Sequence, residues 1–284
     1  MSMTNSEKTI QANGAELCAQ AFGDPTDPAV LLIMGQMASM LWWPEEFCER
    51  LAASGRFVIR YDSRDTGRST AYEPGAPPYT ADDLTDDAVA VLDGYGIDRA
   101  HVVGFSGGGA LAQLLALRHP ARVAAVTAIS TTAVVEHDEA LPGPKPAYVE
   151  HAKASEGLDW SDTGALADVL VRESHVLAGT RHPHDEEAAR DLVARDLERT
   201  RNPASLVNHV LAGEGERPPG RLADIAVPFT VIHGTADPLF PYEHGVALAR
   251  AVPGATLVAI EGGGHELHKG DWDQILAALT QPSA

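Results

Sequence analysis

The stretch HVVGFSGGGALAQ, residues 101–113, surrounds one serine with four glycines where an apolar run changes into a helix-forming one. Glycine weakens a strand or a helix by about 0.5–1 kcal/mol per residue, so this cluster needs a geometric reason. Small residues two before and two after Ser106 match the G-x-S-x-G pattern of a nucleophile elbow. In that strained strand-to-helix turn, a side chain at Gly104 or Gly108 would collide with neighbouring backbone.

Outward from this turn, short β-rich runs alternate with helical ones, a pattern typical of a parallel sheet flanked by helices. Helices are predicted over 44–55 and 80–96, the second capped by Thr80. Residues 8–23 predict a hairpin that turns at Asn13-Gly14. The remaining strands are predicted over 29–35, 56–62, 101–105, 123–130, 227–234 and 255–262. Together these runs predict an α/β fold with a mostly parallel eight-stranded sheet.

The sheet pattern breaks between about residues 132 and 217. Helical segments rich in Ala, Glu, Asp and Arg follow one another there, separated by Pro and Gly, with no convincing strand. We interpret residues 132–217 as a helical cap inserted into a core formed by residues 1–131 and 218–284.

A serine hydroxyl becomes a nucleophile when a histidine takes its proton and a carboxylate orients that histidine. After an elbow of this type the acid and then the histidine are expected further along the chain. Asp237 follows the strand ending at Gly234, and His265 follows the last strand. Because these strands end at the same edge of a parallel sheet as Ser106, we predict a Ser106, Asp237 and His265 triad.

Other residues offer weaker alternatives for the two partners. Glu136 is the first acid after the strand that ends near Ser130, and His268 is a rival base three residues beyond His265. Asp237 alone could be a turn residue before Pro238. For three further histidines we expect structural roles: His101, His119 and His233.

Acyl transfer also needs two donors for the oxyanion that forms. We expect them to be the backbone N–H groups of Gly107, directly after the serine, and of Gln36, after the strand at 29–35. Three apolar residues near Gln36 are candidates for an apolar acyl site, with a place in the core as an even alternative: Met37, Trp42 and Trp43.

The composition excludes several kinds of partner. The 284 residues carry a formal net charge of −19, which disfavours nucleic acid and anionic membranes, because both bind basic surfaces. No stretch has the apolar length of a signal peptide or of a spanning helix. We expect a cytoplasmic protein with a small-molecule substrate, and the oligomeric state stays open.

The sequence gives no sign of a cofactor or a metal centre. Cys18 and Cys48 are too few for a disulfide framework and lack zinc-ligand spacing, so we interpret both as buried apolar residues. His182 and His184 in RHPHDEE are conceivable metal ligands, but an acidic solvated loop explains them better. We predict that catalysis needs neither a metal nor an organic cofactor.

With the elbow, the acid and the histidine in order, the chain resembles the α/β-hydrolase superfamily over nearly its full length. Within it, the stretches FGDPTDPAVLLIMG, WWPEEFCERLA, IRYDSRDTGRST and AVAVLDGYGIDRAHVVGFS resemble the aclacinomycin methylesterase branch. The resemblance implies an α/β-hydrolase fold with Ser106, Asp237 and His265 as triad and with Gln36 and Gly107 as oxyanion donors. It also suggests that the loop around Asp62, Arg64, Asp65 and Arg68 is structural.

Two departures from this branch bear on the substrate. MGQM stands where many relatives have a His-Gly pair, and Gly107 stands where many have a larger residue, which suggests a wider acyl site. The implied activity is hydrolysis of a bulky natural-product ester, such as a polyketide methyl ester or a macrolide lactone. Alternatives are a small-ester esterase, a lactonase, a carbon–carbon bond hydrolase, a cofactor-free perhydrolase, and a ligand receptor without turnover.

Overall fold

A computed structural model describes residues 6–134 and 140–280. Within them, eight strands form one sheet in the order β1-β2-β4-β3-β5-β6-β7-β8. Strands β3 to β8 are parallel, whereas the β1–β2 and β2–β4 pairs are antiparallel. The predicted mostly parallel eight-stranded sheet is therefore confirmed. The strands are β1 Lys8–Ala12, β2 Ala15–Phe22, β3 Ala29–Ile33, β4 Phe57–Tyr61, β5 Ala100–Phe105, β6 Val123–Ile129, β7 Phe229–Gly234 and β8 Thr256–Ile260.

Helices cover both faces of the sheet. All residues of β3 and β4 are buried, because apolar clusters pack on each side of the central strands. Thr80 begins α2 as predicted, with its backbone N–H donating to the Asp83 carboxylate at 2.8 Å. The helices are α1 Glu45–Ala52, α2 Ala81–Gly94, α3 Gly107–Arg118, α4 Pro146–Ala154, α5 Thr163–Leu177, α6 Glu186–Arg199, α7 Asn208–Leu211, α8 Glu243–Ala251 and α9 Trp272–Thr280.

Helix α8 is an element that the sequence analysis did not predict. Its segment is short and contains Gly245, which weakens a helical pattern. In the structure this glycine lies against the ring of His233, and a Cβ there would come within 2.7 Å of it. Helix α8 can pack closely on β7 because residue 245 is glycine, and the same glycine weakens the helical pattern in the sequence.

Helices α4 to α7 lie between β6 and β7 in the chain, in the segment interpreted as a cap. They share a small apolar cluster with the loop after β3, through Met37 and Trp42. The boundaries at 132 and 217 stay a prediction, and Glu136 lies outside the described residues. The cluster is built around Leu166, Val171, Val193, Leu197 and Leu206.

A set of buried polar contacts, here called the polar junction, joins these helices to the loop after β4. The carboxylate of Asp62 accepts from Arg199 at 2.6 Å and from two backbone N–H groups. Asp65 accepts from the amide of Asn208 at 3.0 Å and from the hydroxyl of Tyr79 at 2.6 Å. These partners agree with the structural role expected for the loop.

A second ion pair of this loop lies wholly within the core. Arg64 binds both carboxylate oxygens of Asp87 at 2.7 and 2.8 Å, and both side chains are almost fully buried. Among the described residues, none of the helices combines the length and the hydropathy that spanning a membrane requires.

Candidate active site

Ser106 occupies the turn between β5 and α3 in a conformation that side chains rarely adopt, with φ 52° and ψ −119°. Its backbone N–H donates to Ile129 of β6 at 2.9 Å. A Cβ on Gly104 would lie 2.0 Å from the carbonyl oxygen of Gly108. A Cβ on Gly108 would lie 2.2 Å from the carbonyl oxygen of Ile33. Both positions therefore require glycine, for the reason that the motif predicts.

The other two glycines of the cluster have different neighbours. A Cβ on Gly109 would meet the methyl group of Thr131 at 2.7 Å, so this glycine lets α3 approach the end of β6. A Cβ on Gly107 would lie 3.0 Å from Cγ of Gln36. The expectation that Gly107 leaves a wider acyl site stays a prediction, and the Gln36 side chain takes part of the adjacent space.

The structure brings Ser106, Asp237 and His265 together. His265 Nε2 lies 2.9 Å from Oγ of Ser106, and its Nδ1 lies 2.8 Å from Oδ2 of Asp237. Asp237 is fully buried, and its Oδ1 accepts the backbone N–H groups of Leu239 and Phe240. Since the carboxylate only accepts, Nδ1 carries the proton and Nε2 is left to accept from the serine hydroxyl.

Helix α5 holds the loop that carries His265. The backbone N–H of His265 donates to the carbonyl of Leu177, the last residue of α5, at 2.8 Å. A Cβ on Gly264 would come within 2.3 Å of this carbonyl, which leaves no room for a side chain. The rings of Phe105 and Phe240 pack beside the imidazole, with centroids 5.1 and 5.7 Å away.

The rival base His268 and the three histidines expected to be structural have different surroundings. His268 stacks on His182 with centroids 4.1 Å apart, and its Nδ1 accepts from the N–H of Gly270. Burial lowers the pKa of His233, whose Nε2 lies 3.6 Å from Oδ2 of Asp237, and burial also lowers the pKa of His101 to about 4. His119 pairs with Asp86 at 2.8 Å, in a partly exposed contact.

The backbone of Gln36 lies beside that of Gly107, since an added Cβ on the glycine would be 3.4 Å from the Gln36 nitrogen. The loop after β3 is held by His209 of α7, which the sequence analysis missed. The N–H of Met37 donates to His209 Nδ1 at 3.0 Å, and Nε2 of Gln36 donates to the His209 carbonyl at 3.1 Å. His209 Nε2 donates to the carbonyl of Arg64 at 2.6 Å, and burial lowers the pKa of the ring.

The three apolar candidates near Gln36 differ in their surroundings. Trp43 has no exposed surface and packs against Phe47 at 5.7 Å, so its expected place in the acyl site is wrong and it belongs to the core. Trp42 is half-buried, and its indole N–H donates to Asp196 at 2.7 Å. Met37 is half-buried beside Trp42, so these two remain candidates for substrate contact.

The possible metal ligands of RHPHDEE separate. His184 lies 3.0 Å from the hydroxyl of Ser174, whereas His182 joins Asp271 at 3.0 Å and His268. Ligand atoms of His182, His268 and Asp271 lie within 4.8 Å of one another, close enough to be candidate metal ligands. However, Arg181 already pairs with the same carboxylate oxygen at 3.3 Å, and a second cation there would meet its charge.

The two cysteines are buried and free. Burial raises the pKa of both thiols to about 12, so neither is a reactive thiolate. Cys48 lies in an apolar cluster, as expected, whereas the expected apolar role of Cys18 is wrong, because its thiol lies 3.4 Å from the Glu7 carboxylate and 3.5 Å from Nη2 of Arg199.

This strand order, with a serine turn after β5 and an acid and a histidine on the loops after β7 and β8, defines an α/β hydrolase. The chain belongs to the alpha/beta hydrolase fold family, whose model matches residues 28–271. The predicted resemblance to this superfamily is thereby confirmed.

Among curated proteins, the chain is similar to two rhodomycin D methylesterases. It is 35% identical to DauP of Streptomyces sp. strain C5, over 96% of each chain. It is 34% identical to DnrP of Streptomyces peucetius, over 98% of this chain and 95% of the relative.

Solved structures have the same fold. The enol-lactonase of Burkholderia xenovorans LB400 is 25% identical and superposes with a TM-score of 0.74, covering 96% of this chain and 98% of the other. The alignment with the esterase EaEST of Exiguobacterium antarcticum covers 96% of this chain and 98% of the other, at 20% identity and with a TM-score of 0.77.

Proposed function

We propose that this protein hydrolyses carboxylic esters with Ser106 as nucleophile, His265 as general base and Asp237 as the acid that orients His265. The family and the methylesterase relatives make the chain an enzyme of the carboxylic ester hydrolase class. The observation that carries the mechanism is the imidazole of His265, which bridges Ser106 at 2.9 Å and Asp237 at 2.8 Å.

In the first half of the reaction, Nε2 of His265 takes the hydroxyl proton of Ser106, and Oγ attacks the carbonyl carbon of the ester. The carbonyl oxygen becomes an oxyanion, which accepts from the backbone N–H groups of Gly107 and Gln36. When the tetrahedral intermediate collapses, the carbon–oxygen bond to the alcohol breaks and His265 donates its proton to the leaving alcohol. An acyl group is then bound to Ser106.

In the second half, His265 removes a proton from water, and the hydroxide attacks the acyl carbon. The bond to Ser106 Oγ breaks, the serine regains its proton from His265, and the carboxylic acid leaves. Asp237 stabilises the imidazolium twice in each turnover, and its burial at 0% exposure strengthens that interaction. Because His265 must be neutral to act as base, activity is expected to fall as the pH drops.

The substrate that we propose is a bulky natural-product ester, such as a polyketide methyl ester or a macrolide lactone. The support is the similarity to two rhodomycin D methylesterases, which extends over nearly the whole of each chain. The two exposed apolar residues Val210 and Leu211 follow His209, beside the Gln36 loop, and are suited to an apolar substrate. Small esters, lactones and perhydrolysis remain alternatives with the same triad.

The test is to label the enzyme with a chromogenic phosphonate and to locate the adduct by mass spectrometry. We expect the adduct on Ser106, and we expect Ser106→Ala to lose about 10⁶-fold in kcat while folding normally. Ser161→Ala, at an exposed serine, is the matched control and should keep wild-type turnover. Near-normal turnover of Ser106→Ala would refute the mechanism.

Substrate range is measured separately, by comparing kcat/KM across short-chain esters, polyketide methyl esters and macrolides. A preference for short-chain esters would contradict the proposed substrate and leave the mechanism standing. A missing adduct together with no burst of chromophore would favour a ligand receptor.

A further inference from the structure

The loop after β3 brings its backbone to the candidate nucleophile. A Cβ on Gly35 would lie 3.2 Å from Cβ of Ser106. The nitrogen of Gln36 lies 3.4 Å from the position of a Cβ added to Gly107. Among the residues that the structure describes, no acceptor is found for the Gln36 N–H. This N–H can therefore bind an oxygen of the substrate, provided that the loop holds it in place.

The conformation of this loop is strained at Met37. Its φ is 60°, in the left-handed region that residues other than glycine rarely adopt. Such a conformation persists only where the surrounding contacts enforce it. At Met37 the backbone N–H donates to Nδ1 of His209 at 3.0 Å. Because this N–H is one residue away from the proposed oxyanion donor, the bond fixes the backbone directly after Gln36.

The hydrogen bonds of His209 define its tautomer. Nε2 lies 2.6 Å from the carbonyl oxygen of Arg64, which can only accept, so Nε2 carries the proton. Nδ1 faces the N–H of Met37 and therefore carries none. Only a neutral ring with its proton on Nε2 makes both bonds at once. Burial lowers the pKa of His209, which favours this neutral form.

The residue before His209 attaches α7 to the loop after β4. Asn208 is fully buried, and its amide donates to Asp65 at 3.0 Å and to the carbonyl of Glu73 at 3.1 Å. Its Oδ1 accepts the N–H of Gly75 at 2.8 Å. Since α7 is bound to that loop at several points, His209 links the loop after β4 to the loop after β3.

We propose that His209 is a positioning residue for ester hydrolysis, whose Nδ1 holds the Met37 N–H and thereby keeps the Gln36 N–H directed at the oxyanion. The inference rests on the proposed function, because it concerns the oxyanion that forms when Ser106 attacks an ester. Removing one oxyanion donor costs about 10²–10³ in rate. A loop without the His209 acceptor keeps the donor but misplaces it, so the expected loss is smaller, about 10–100-fold.

Two amide side chains divide the hydrogen bonds of His209 between them. In His209→Gln the amide reaches the position of Nε2 and can donate to the Arg64 carbonyl, but no acceptor remains for the Met37 N–H. In His209→Asn the amide oxygen takes the place of Nδ1 and keeps that acceptor, while the bond to Arg64 is lost. We expect kcat for p-nitrophenyl acetate to fall about 10–100-fold in His209→Gln and to stay within about threefold of the wild type in His209→Asn, with KM unchanged in both.

Urea unfolding separates positioning from stability. Each variant loses one hydrogen bond of the ring, so both should unfold at similar urea concentrations although only one loses activity. His151→Gln is the matched control, because His151 is a half-buried histidine of α4. No hydrogen bond from its ring to the loop after β3 is found in the described parts of the chain, so this variant should keep the wild-type kcat.

Replacing the carbonyl oxygen of the ester by sulfur shows whether the loss occurs at the oxyanion. In a thiono ester the negative charge develops on sulfur, a weak hydrogen-bond acceptor, so this ester gains less from the Gln36 N–H. The measured quantity is the ratio of kcat/KM for p-nitrophenyl acetate to that for its thiono analogue. The ratio should fall about tenfold from the wild type to His209→Gln and stay unchanged in His209→Asn.

Four results would overturn the role of His209. They are a wild-type kcat in His209→Gln, an equal loss in the Gln and Asn variants, a change confined to KM, and an equal loss on the oxygen and sulfur esters. If His209→Gln does not fold, His209→Ala takes its place, because it removes the same acceptor. Phosphonate labelling separates these failures from failure of the proposed function, because a wild type that labels on Ser106 while any of these results holds refutes only the positioning role.

Discussion

The elbow around Ser106 and the polar junction are both held by close contacts, yet they are built in opposite ways. At the elbow, the contacts that fix the geometry are between backbone atoms, and glycines let strand and helix approach. At the junction, buried charges hold together segments far apart in the chain, as in the pair of Asp62 and Arg199, which are 137 residues apart. A backbone constraint restricts the residue types that fit at a position, so it can be recognised in the sequence. A long-range ion pair uses charged residues that are common throughout a sequence, so it cannot be recognised there.

The largest effect should come from adding one methyl group at the elbow. In Gly108→Ala the new Cβ would lie 2.2 Å from the Ile33 carbonyl oxygen, so α3 must move away from β3. We expect a loss above about 4 kcal/mol in unfolding free energy, in the exceptional range for one substitution. Urea unfolding measures it.

Gly143→Ala is the matched control for that experiment. A Cβ added at Gly143 would have no atom within 4 Å, and this residue has no positive φ. The unfolding free energy of Gly143→Ala should therefore equal that of the wild type. Equal stabilities of the two variants would show that the elbow tolerates a side chain, and the distinction between the two regions would fail.

A smaller effect is expected when the junction loses one charge. Arg199→Met leaves the buried Asp62 carboxylate with only its two backbone donors, and we expect a loss of about 3 kcal/mol in unfolding free energy. Arg195→Met, on the same helix but in an exposed pair with Asp191, should change stability by less than about 0.5 kcal/mol. Similar losses in the two variants would argue against the junction as a source of stability.

The pH dependence of Arg199→Met tests the same point. Burial raises the pKa of Asp62, and Arg199 acts in the opposite direction. Without Arg199, Asp62 takes up a proton at higher pH than in the wild type, and protonation removes the uncompensated charge. The stability difference should therefore be largest at neutral to alkaline pH and shrink on acidification. A difference that grows on acidification would contradict this account.

The smallest effect should be at Gly107, where elbow and insertion meet. An added Cβ would lie 3.0 Å from Cγ of Gln36, a flexible side chain that moves more easily than backbone. Gly107→Ala should then cost about 1 kcal/mol, the value of the lost hydrogen bond from Gln36 to the His209 carbonyl. Gln36→Ala should cost about as much, and the double variant hardly more, because both changes remove the same bond. Additive losses would exclude this explanation.

Much of the core and of the candidate site was predictable from the sequence. The glycine pattern predicted the strand, the turn and the helix around Ser106, because only glycine fits at Gly104 and Gly108. Strand order along the chain predicted which edge carries Asp237 and His265. Because that edge also carries Ser106, the sequence predicts that the three residues lie close together. Their catalytic roles remain a prediction, which the proposed experiments test.

Apart from helix α8, the errors and omissions concern contacts between distant segments. Trp43 and Trp42 are adjacent in the sequence, but one is in the core and the other faces Asp196 of α6. His209 holds the Gln36 loop from 172 residues away, and no local pattern marks it. The segment between β6 and β7 shows only amphipathic periodicity, which predicts a helix but not the residues that it packs against.

The sheet, the serine turn and the order of the candidate triad follow from the amino-acid sequence alone, because steric limits on the backbone and the alternation of apolar residues act locally. Which residues of the helices between β6 and β7 approach the site, such as His209 at the Gln36 loop, is visible only in the folded protein. Those positions depend on how packed helices bring side chains together over long chain distances, and such contacts are set by the summed packing of the whole molecule.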